Sequence, residues 1–327
     1  MTDEIAIGHL HKRKIEARVL IPFITACREK FGDGPTREAV AATIRVLAAE
    51  EGAKWAGSFG GDVAGLRELA ETVWAGGGGL DIQVLDQADD RLAFNVTRCR
   101  YAEFFKELGL EDLGFLIHCS RDHAMVAGFS DDLELARSQT IMEAQAAATF
   151  ASAERPREER MTGVLDDYLV DPRISLLDKT RIQAQVLVPV LRALRTELGK
   201  DKADAIVKQA LRDWSKQLFA AIGDGIEGSP RRKWATLQGA LNDVSAREVE
   251  FEIRHQDKEA LDIDVTRCRF AEFFRALGEP ELGALLICET DIDIAAAGKG
   301  EVGLDRAQTL MRGAPSCTFR YKFAPRA

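Results

Sequence analysis

Alternation of apolar and polar residues predicts a β-hairpin near the end of the chain. Glu248–Ile253 alternates with a period of two residues, His255–Glu259 forms a turn, and Leu261–Thr266 alternates again. This pattern is typical of strands that bury one face. A looser version runs through Leu80–Leu85 and Leu92–Thr97. We therefore expect a hairpin with one buried face in each half of the chain.

Apolar residues at helical spacing precede each hairpin. They recur through Ile15–Ala26 in the first half and Ile182–Leu194 in the second, which indicates amphipathic helices. Because proline removes a backbone hydrogen bond, Pro22 and Pro189 should kink or terminate these helices.

Further elements follow each hairpin. A short helix comes first, and a second helix over Leu113–Ala127 or Leu282–Ala297 carries a cysteine. A last pair of strands, Val302–Met311 and Cys317–Phe323, is expected to close the second half around the turn at Gly313–Pro315.

The two halves are copies of one unit. Residues 95–109 and 264–278 are identical at 11 of 15 positions with an offset of 169, and residues 14–22 weakly match residues 181–189. The predicted fold class is therefore α+β, with two tandem repeats, each a helical N-terminal part followed by a small antiparallel sheet. Such a fused duplicate is expected to form a pseudo-two-fold pair.

A linker separates the repeats. Residues 153–162 are charged, include a proline and lack periodicity, as connecting segments do. We predict a first domain over residues 1–162 and a second over residues 163–327.

The amino-acid composition restricts the classes of binding partner to be expected. The 327 residues are 46% apolar and 30% charged, and no apolar run approaches the ~20 residues that span a membrane. The net charge of −9 disfavours nucleic-acid binding. The expected partner is a small molecule, with no nucleic acid and no membrane, and self-association beyond the internal pair stays open.

Cysteine usage indicates a reducing compartment. Six cysteines without a dense spacing pattern, after an N-terminus that does not resemble a secretory signal, predict free thiols in the cytoplasm.

Several repeated polar residues are candidates for chemistry. Cys288 and Asp291 stand three residues apart, which on a helix places thiol and carboxylate on one side. Cys268 ends a predicted strand, while Arg306 is expected to share a strand face with Gln308 and Leu310, with Cys317 across the turn. We expect Cys268, Cys288, Asp291, Arg306 and Cys317 to converge.

Structural roles compete with this interpretation. Cysteine usually serves as a small buried hydrophobe, and a repeated arginine also suits the domain's own carboxylates. His118, Cys119 and His123 suggest a metal site, but the second half has Ile287 and Ile292 at the histidine positions. An essential zinc would require the ligands in both copies, so we predict no metal.

The halves differ at their ends. Cys317–Tyr321 reads Cys-Thr-Phe-Arg-Tyr, whereas residues 148–152 read Ala-Thr-Phe-Ala-Ser. This loss predicts one working site, built mainly by the second half. Arg320 is then a further substrate-binding candidate, and Cys119 and Asp122 are first-half residues that complete the site.

The motifs resemble a known family. The strings V-T-R-C-R-[YF]-A-E-F-F, L-G-x-L-[IL]-x-C-x-x-D, R-x-Q-T-[IL]-M and C-x-F-R-Y are similar to the L-2-amino-thiazoline-4-carboxylate hydrolases and cover most of both halves. A fold-level likeness to 4-vinyl-reductase-type ligand-binding domains accompanies them. The family resemblance implies a hydrolase that opens a small carboxylated ring at a C–N (amidine) bond and yields carbamoyl-cysteine, with no cofactor expected.

Two mechanisms fit the candidate residues. In one, the thiolate of Cys288 or Cys268 attacks the amidine carbon. In the other, Asp291 is the general base for a water molecule, which we prefer because a carboxylate disfavours a neighbouring thiolate. In both, Arg306 or Arg320 holds the substrate carboxylate, and Gln308 and Cys317 line the pocket.

Two other function classes stay open. The same pocket in a non-enzymatic module would capture or sense a small molecule. A tethering protein would instead expose a large apolar patch and no accessible thiol.

Overall fold

The computed structural model describes residues 7–143, 174–223, 229, 231–232, 234–236, 248–297 and 301–323. The chain divides into two compact units, one of Met1–Asp171 and Ile182–Leu198 and the other of Pro172–Arg181 and Gly199–Ala327. The predicted linker at residues 153–162 lies outside the described residues. The domain boundary at residue 162 therefore stays a prediction.

The first repeat begins with helices and continues into a hairpin and three short helices. Its elements are α1 (His9–Phe31), α2 (Asp33–Phe59), α3 (Val63–Leu69), a π-helical turn (Ala70–Ala75), β1 (Leu80–Ala88), β2 (Arg91–Cys99), α4 (Arg100–Glu107), α5 (Glu111–Ile117), a 3₁₀ turn (Cys119–Arg121) and α6 (Asp122–Phe129).

The described part of the second repeat has the same order from its hairpin to the helix after the repeated cysteine, and it continues into two further strands. Its elements are α7 (Leu176–Leu198), α8 (Lys200–Gly223), β3 (Val249–Gln256), β4 (Ala260–Cys268), α9 (Arg269–Ala276), α10 (Pro280–Gly283), a π-helical turn (Ala284–Cys288), α11 (Glu289–Ala297), β5 (Val302–Asp305), a 3₁₀ turn (Leu310–Arg312) and β6 (Cys317–Phe323). The α+β class with a small antiparallel sheet in each repeat is confirmed.

The long helices continue through their prolines. Pro22 lies inside α1 and Pro189 inside α7, so of the two predicted outcomes, a kink or a termination, termination is wrong. Each helix ends instead at a glycine with positive φ, Gly32 at +88° and Gly199 at +81°. Glycine adopts this left-handed region without the steric penalty of a Cβ atom, which makes it an effective helix stop.

The hairpins share their irregularities as well as their pairing. β1 and β2 pair antiparallel with a register shift between Asp81 and Ile82, and β3 and β4 shift between Glu250 and Phe251, the equivalent positions. In the second repeat the sheet order is β3-β4-β6-β5. The residues equivalent to β6 in the first repeat, 148–154, lie outside the described ranges.

The expected buried face of the second hairpin is wrong for β3. Phe251 and Ile253 are 47% and 53% exposed. β3 is an edge strand, hydrogen-bonded only to β4 within the described sheet. Alternation in an edge strand therefore does not guarantee that its apolar side chains are covered.

The helices that carry Cys119 and Cys288 are interrupted, unlike the continuous helices predicted. A 3₁₀ turn begins at Cys119, and a π-helical turn ends at Cys288. Because both turns depart from 3.6 residues per turn, they rotate the side chains that follow relative to a straight helix. The side chain of the aspartate three residues after each cysteine therefore points in a direction that a continuous helix would not give.

The predicted strand over Val302–Met311 is also shorter than expected. β5 ends at Asp305, and Leu310–Arg312 forms a 3₁₀ turn. Thr309 caps this turn, its hydroxyl oxygen accepting the Arg312 N–H at 3.3 Å. Arg306, Gln308 and Leu310 therefore do not share a strand face.

Equivalent glycines bring equivalent side chains together. A Cβ on Gly114 would lie 2.6 Å from the Phe105 ring and 2.8 Å from the Met142 sulfur. A Cβ on Gly283 would lie 2.6 Å from Phe274 and 2.7 Å from the sulfur of Met311. The Leu-Gly motif of each repeat thus serves close packing.

Candidate functional site

Five of the predicted site residues come together in the second repeat. Cys268 ends β4, Cys288 ends the π-helical turn, and Asp291 lies in the first turn of α11. Arg306 follows β5 and Cys317 opens β6. The guanidinium of Arg306 donates from Nη1 to the carboxylate of Asp291, and the thiols affect one another's ionisation. The predicted convergence is present.

Arg306 is the most constrained group of this cluster. Its side chain is only 5% exposed, and the guanidinium carbon lies 5.4 Å from the ring centre of Phe319, a cation–π distance. Its Nε is buried and has no acceptor in the part of the chain that the structure describes. A buried guanidinium with an unused N–H is a strong site for an additional anion.

The thiols are not activated. Burial raises the pKa of Cys268 to about 11 and that of Cys288 to about 12, and Asp291 adds to both increases. Burial also raises the pKa of Cys317, whose sulfur accepts the Leu310 N–H at 3.1 Å. Since the thiolate is the nucleophilic form, none of the three is prepared to attack at neutral pH.

Asp291 is held closer to neutrality than an ordinary aspartate. Desolvation raises its pKa to about 6, and the charge and hydrogen bond of Arg306 act in the opposite direction. The side chain is still 35% exposed, so water reaches it. At pH 7 it is mostly ionised and able to accept a proton, as a general base requires.

A cavity of about 250 Å³ lies beside this cluster. The second-repeat motifs contribute four of its lining residues, Cys288, Arg306, Gln308 and Thr309. Residues of α8 and α11 line much of the rest of the cavity. Asp291 is not among the lining residues but is bonded to Arg306, which is. The volume is at the small end for ligand pockets and suits a single small ring.

Sequence reasoning missed the charged walls of the cavity. Lys208 and Arg212 on α8 face Glu289 and Asp293 on α11, with ion-pair distances of 3.2 and 3.0 Å. Arg312 adds a further pair to Glu289 at 3.7 Å. The matching spacing of four residues on both helices was a readable signal.

Two predicted substrate-binding residues lie in different places. Gln308 lines the cavity, and its amide donates to the Ser316 hydroxyl at 3.3 Å. Arg320 points to the other face of β6, where it donates to Asp264 at 2.7 Å and to the Ile263 carbonyl at 3.0 Å. The structure does not bring Arg320 to the cavity.

The first repeat keeps a similar cluster. Arg137 donates to the carboxylate of Asp122 and to the carbonyl of Cys119. Burial raises the pKa of Cys119 to about 12 and that of Asp122 to about 6. Cys99 ends β2, and its sulfur accepts the Ala102 N–H at 3.4 Å. Cys119 and Asp122 therefore belong to a cluster of their own repeat.

No grouping of three histidine, cysteine or acidic side chains within the described ranges is arranged to hold a metal ion. His118, considered with Cys119 as a possible ligand, stacks on Tyr101 with ring centres 4.1 Å apart. No helix in the same ranges is long and apolar enough to cross a lipid bilayer.

Comparison with known families identifies the repeated unit. The model of the family described as L-2-amino-thiazoline-4-carboxylic acid hydrolase matches residues 12–147 and again residues 179–321. The chain belongs to this family. It contains two copies of the family's domain, and the first match stops just before residues 148–152, where the Cys-Thr-Phe-Arg-Tyr string is lost. No curated protein sequence matches the chain significantly.

Proposed function

We propose that this protein is a hydrolase that opens a small carboxylated cyclic amidine, with the second repeat as its working site. The observation that carries the proposal is Arg306, a buried guanidinium that lines a small cavity with an Nε lacking an acceptor among the described residues. Family membership supplies the reaction class. A carboxylated ring of the kind in the family's name fits both the charge and the volume of this cavity.

Arg306 binds the carboxylate of the substrate in this proposal. Its Nη1 is engaged by Asp291, while its buried Nε has no acceptor among the described residues. Planar donors match a carboxylate well, and water is largely excluded from the buried group. The ring then lies against Cys288 and Thr309 in the cavity wall.

In this proposal Asp291 is the general base that activates a water molecule, and no cysteine attacks the ring as a nucleophile. The thiols of Cys268, Cys288 and Cys317 have raised pKa values, whereas the carboxylate is mostly ionised at pH 7. Asp291 removes a proton as the water oxygen bonds to the amidine carbon, and it returns this proton to the leaving ring atom as the ring bond at that carbon breaks. The product retains the water and is a carbamoyl-cysteine.

The test is turnover of L-2-amino-thiazoline-4-carboxylate followed by mass spectrometry, with Arg306→Gln and the first-repeat counterpart Arg137→Gln alongside. We expect the parent to form a product heavier by one water, and Arg306→Gln to raise KM far more than Arg137→Gln does. A thiol reagent decides which bond breaks, since cleavage at C–N leaves no new free thiol. Equal defects in the two variants would contradict a site in the second repeat.

The second candidate is a binding module that captures the same class of ligand. The unactivated thiols and the tight Arg306–Asp291 pair favour it. Saturable ligand binding by the parent without product, in a folded protein, would support this candidate against the hydrolase.

A further inference from the structure

The cavity of the second repeat has charged side chains at its solvent-exposed rim. Nζ of Lys208, on α8, lies 3.2 Å from the carboxylate of Glu289, and Nη2 of Arg312, at the end of the 3₁₀ turn, lies 3.7 Å from the same carboxylate. All three residues line the cavity, and both cations are exposed. They are called the rim cluster. Two cations from separate elements thus meet at one point of the cavity wall.

The two cations of the rim cluster have N–H groups that Glu289 does not use. An ammonium group carries three donors and a guanidinium group five. The separation between Arg312 and Glu289 exceeds hydrogen-bond distance, and no second acid among the described residues pairs with either cation. An acidic ligand group at the rim can therefore accept N–H bonds from Lys208 and Arg312 together while Glu289 remains in place.

The rim cluster has no counterpart in the first repeat. Residues are matched by the offset of 169 after the hairpin, and on α2 and α8 by the glycines that precede both helices. The positions that correspond to Lys208, Glu289 and Arg312 hold Ala41, Ser120 and Glu143. The charge at the position of Arg312 is thereby reversed, and Glu143 accepts the Thr140 hydroxyl at 2.9 Å. The two cations therefore distinguish the repeat that contains the proposed working site.

The corresponding helices of the first repeat, α2 and α6, touch through their backbones. A Cβ atom on Gly52 would lie 2.1 Å from the Met125 carbonyl oxygen, and one on Gly128 would lie 2.1 Å from that of Ala49. Contacts this short leave no room for a ligand where these helices cross. In the second repeat, α8 and α11 instead meet through charged side chains that line the cavity. Recognition of a ligand at the rim is therefore a property of the second repeat.

We propose that the ligand of this cavity carries two acidic groups, and that Lys208 and Arg312 bind the second one at the rim. The inference rests on the proposed function, in which Arg306 binds the first carboxylate. It narrows the substrate class to a cyclic amidine that has a second carboxylate on the ring or on a short side chain. L-2-amino-thiazoline-4-carboxylate has one carboxylate and leaves the rim cluster unused.

The experiment measures the binding of two matched probes to the full chain by isothermal titration calorimetry. Glutarate has two carboxylates, and its monoamide has the same length with one carboxylate replaced by a neutral amide. We expect glutarate to bind about 5-fold more tightly, which is the effect of one well-placed exposed ion pair. The preference should weaken in Lys208→Gln and in Arg312→Gln, and it should disappear in the double variant.

Lys200→Gln is the matched control. Lys200 is an exposed lysine on the same helix, α8, where it pairs with Glu281, and it does not line the cavity. This variant should keep the preference for glutarate. Because the substituted side chains are all exposed, we expect every variant to fold, and circular dichroism checks this.

Three results would overturn the inference. Glutarate that binds no more tightly than its monoamide, or that shows no saturable binding, would mean that no second acidic group is recognised. A preference that persists in the double variant would place the second group elsewhere. A loss in Lys200→Gln as large as that in Lys208→Gln would reduce the effect to the general charge of the surface.

The proposed hydrolysis and the second acidic group fail separately. Turnover of L-2-amino-thiazoline-4-carboxylate by a protein with no preference for glutarate would support the hydrolase and remove the second acidic group. A preference that depends on Lys208 and Arg312, in a protein that forms no product from that compound, would support the second acidic group and count against hydrolysis of that substrate.

Discussion

The two repeats agree in one cluster and differ in another. Each has a cysteine three residues before an aspartate that bonds an arginine: Arg137 with Asp122, and Arg306 with Asp291. Buried ion pairs join Arg13 to Glu16 and Glu51, and Arg121 to Glu51, in the first repeat; we call these residues the Arg13 cluster. The second repeat has Thr180 and Thr290 at the positions of the two arginines. The aromatic neighbourhood of the cluster also changes, since Tyr101 and His118 are replaced by Phe270 and Ile287 in the second.

This difference separates what the fold requires from what each copy does. In both copies the Asp–Arg pair joins the helix after the repeated cysteine, α6 or α11, to the segment that follows this helix, so it is compatible with a purely structural role. Among the features that differ are a cluster of buried ion pairs in one repeat and the complete Cys317–Tyr321 string in the other. The features that differ between the two repeats are therefore better indicators of the function of each repeat than the shared Asp–Arg pair.

The largest expected effect concerns the shared aspartate. Asp291→Asn should lower kcat/KM by about 100- to 10,000-fold, because a positioned general base contributes that much to a proton transfer. Asp122→Asn should lower it by less than about 10-fold, since a base in the other repeat does not touch the reacting water. Steady-state kinetics on both variants decide it, and matching losses would mean that both repeats are working sites.

Glu51→Gln tests the buried charges of the first repeat. It leaves Arg121 without its counter-charge and Arg13 with Glu16 alone, and we expect the free energy of unfolding to fall by about 3–5 kcal/mol. Burial alone would raise the pKa of Glu51, yet the nearby cations, Arg13 foremost, lower it to about 2. Urea unfolding measures the loss. Asp33→Asn, in a pair that is 57% exposed on the acid side, should cost less than about 1 kcal/mol. Similar losses would contradict a special role for burial.

Sequence reasoning captured the repeat, the hairpins and the convergence on Asp291, because period-two patterns and a fixed offset are local signals. It missed the Arg13 cluster for a physical reason: charged residues on a helix normally face water, and only tertiary packing places Glu51 opposite Arg13. It misplaced Arg306 and Gln308 because unpaired extended chain has the same pattern as a strand.

A symmetrical pair of substitutions sharpens the comparison at the level of packing. Gly114→Ala and Gly283→Ala should each lower the free energy of unfolding by about 1–3 kcal/mol, since the new methyl group would overlap a ring and a methionine sulfur. Gly34→Ala, on α2 with nothing within 4 Å of the new Cβ, should raise it by ~0.5–1 kcal/mol. Urea unfolding measures all three, and a loss confined to one repeat would show that the Leu-Gly contact is not equivalent in the two copies.

The last comparison concerns the shared titration of the two aspartates. Asp122 and Asp291 should each titrate near pH 6 instead of at the ordinary value of 3.8. Because the folded state then binds these protons more tightly than the unfolded state, their contribution to the free energy of unfolding is greatest below about pH 4 and is lost as pH rises through 6. Carbon-13 NMR of the carboxyl groups follows the titration, and Asp122→Asn and Asp291→Asn assign the signals.

Removing the partner arginine shows in which direction the arginine shifts the pKa of the aspartate in each repeat. Arg137→Gln should raise the pKa of Asp122, and Arg306→Gln that of Asp291, because each guanidinium favours the ionised carboxylate. A rise in both would mean that the two pairs are electrostatically equivalent, so that the repeats differ in function through their surroundings. A rise in only one would place the difference in the Asp–Arg pair itself.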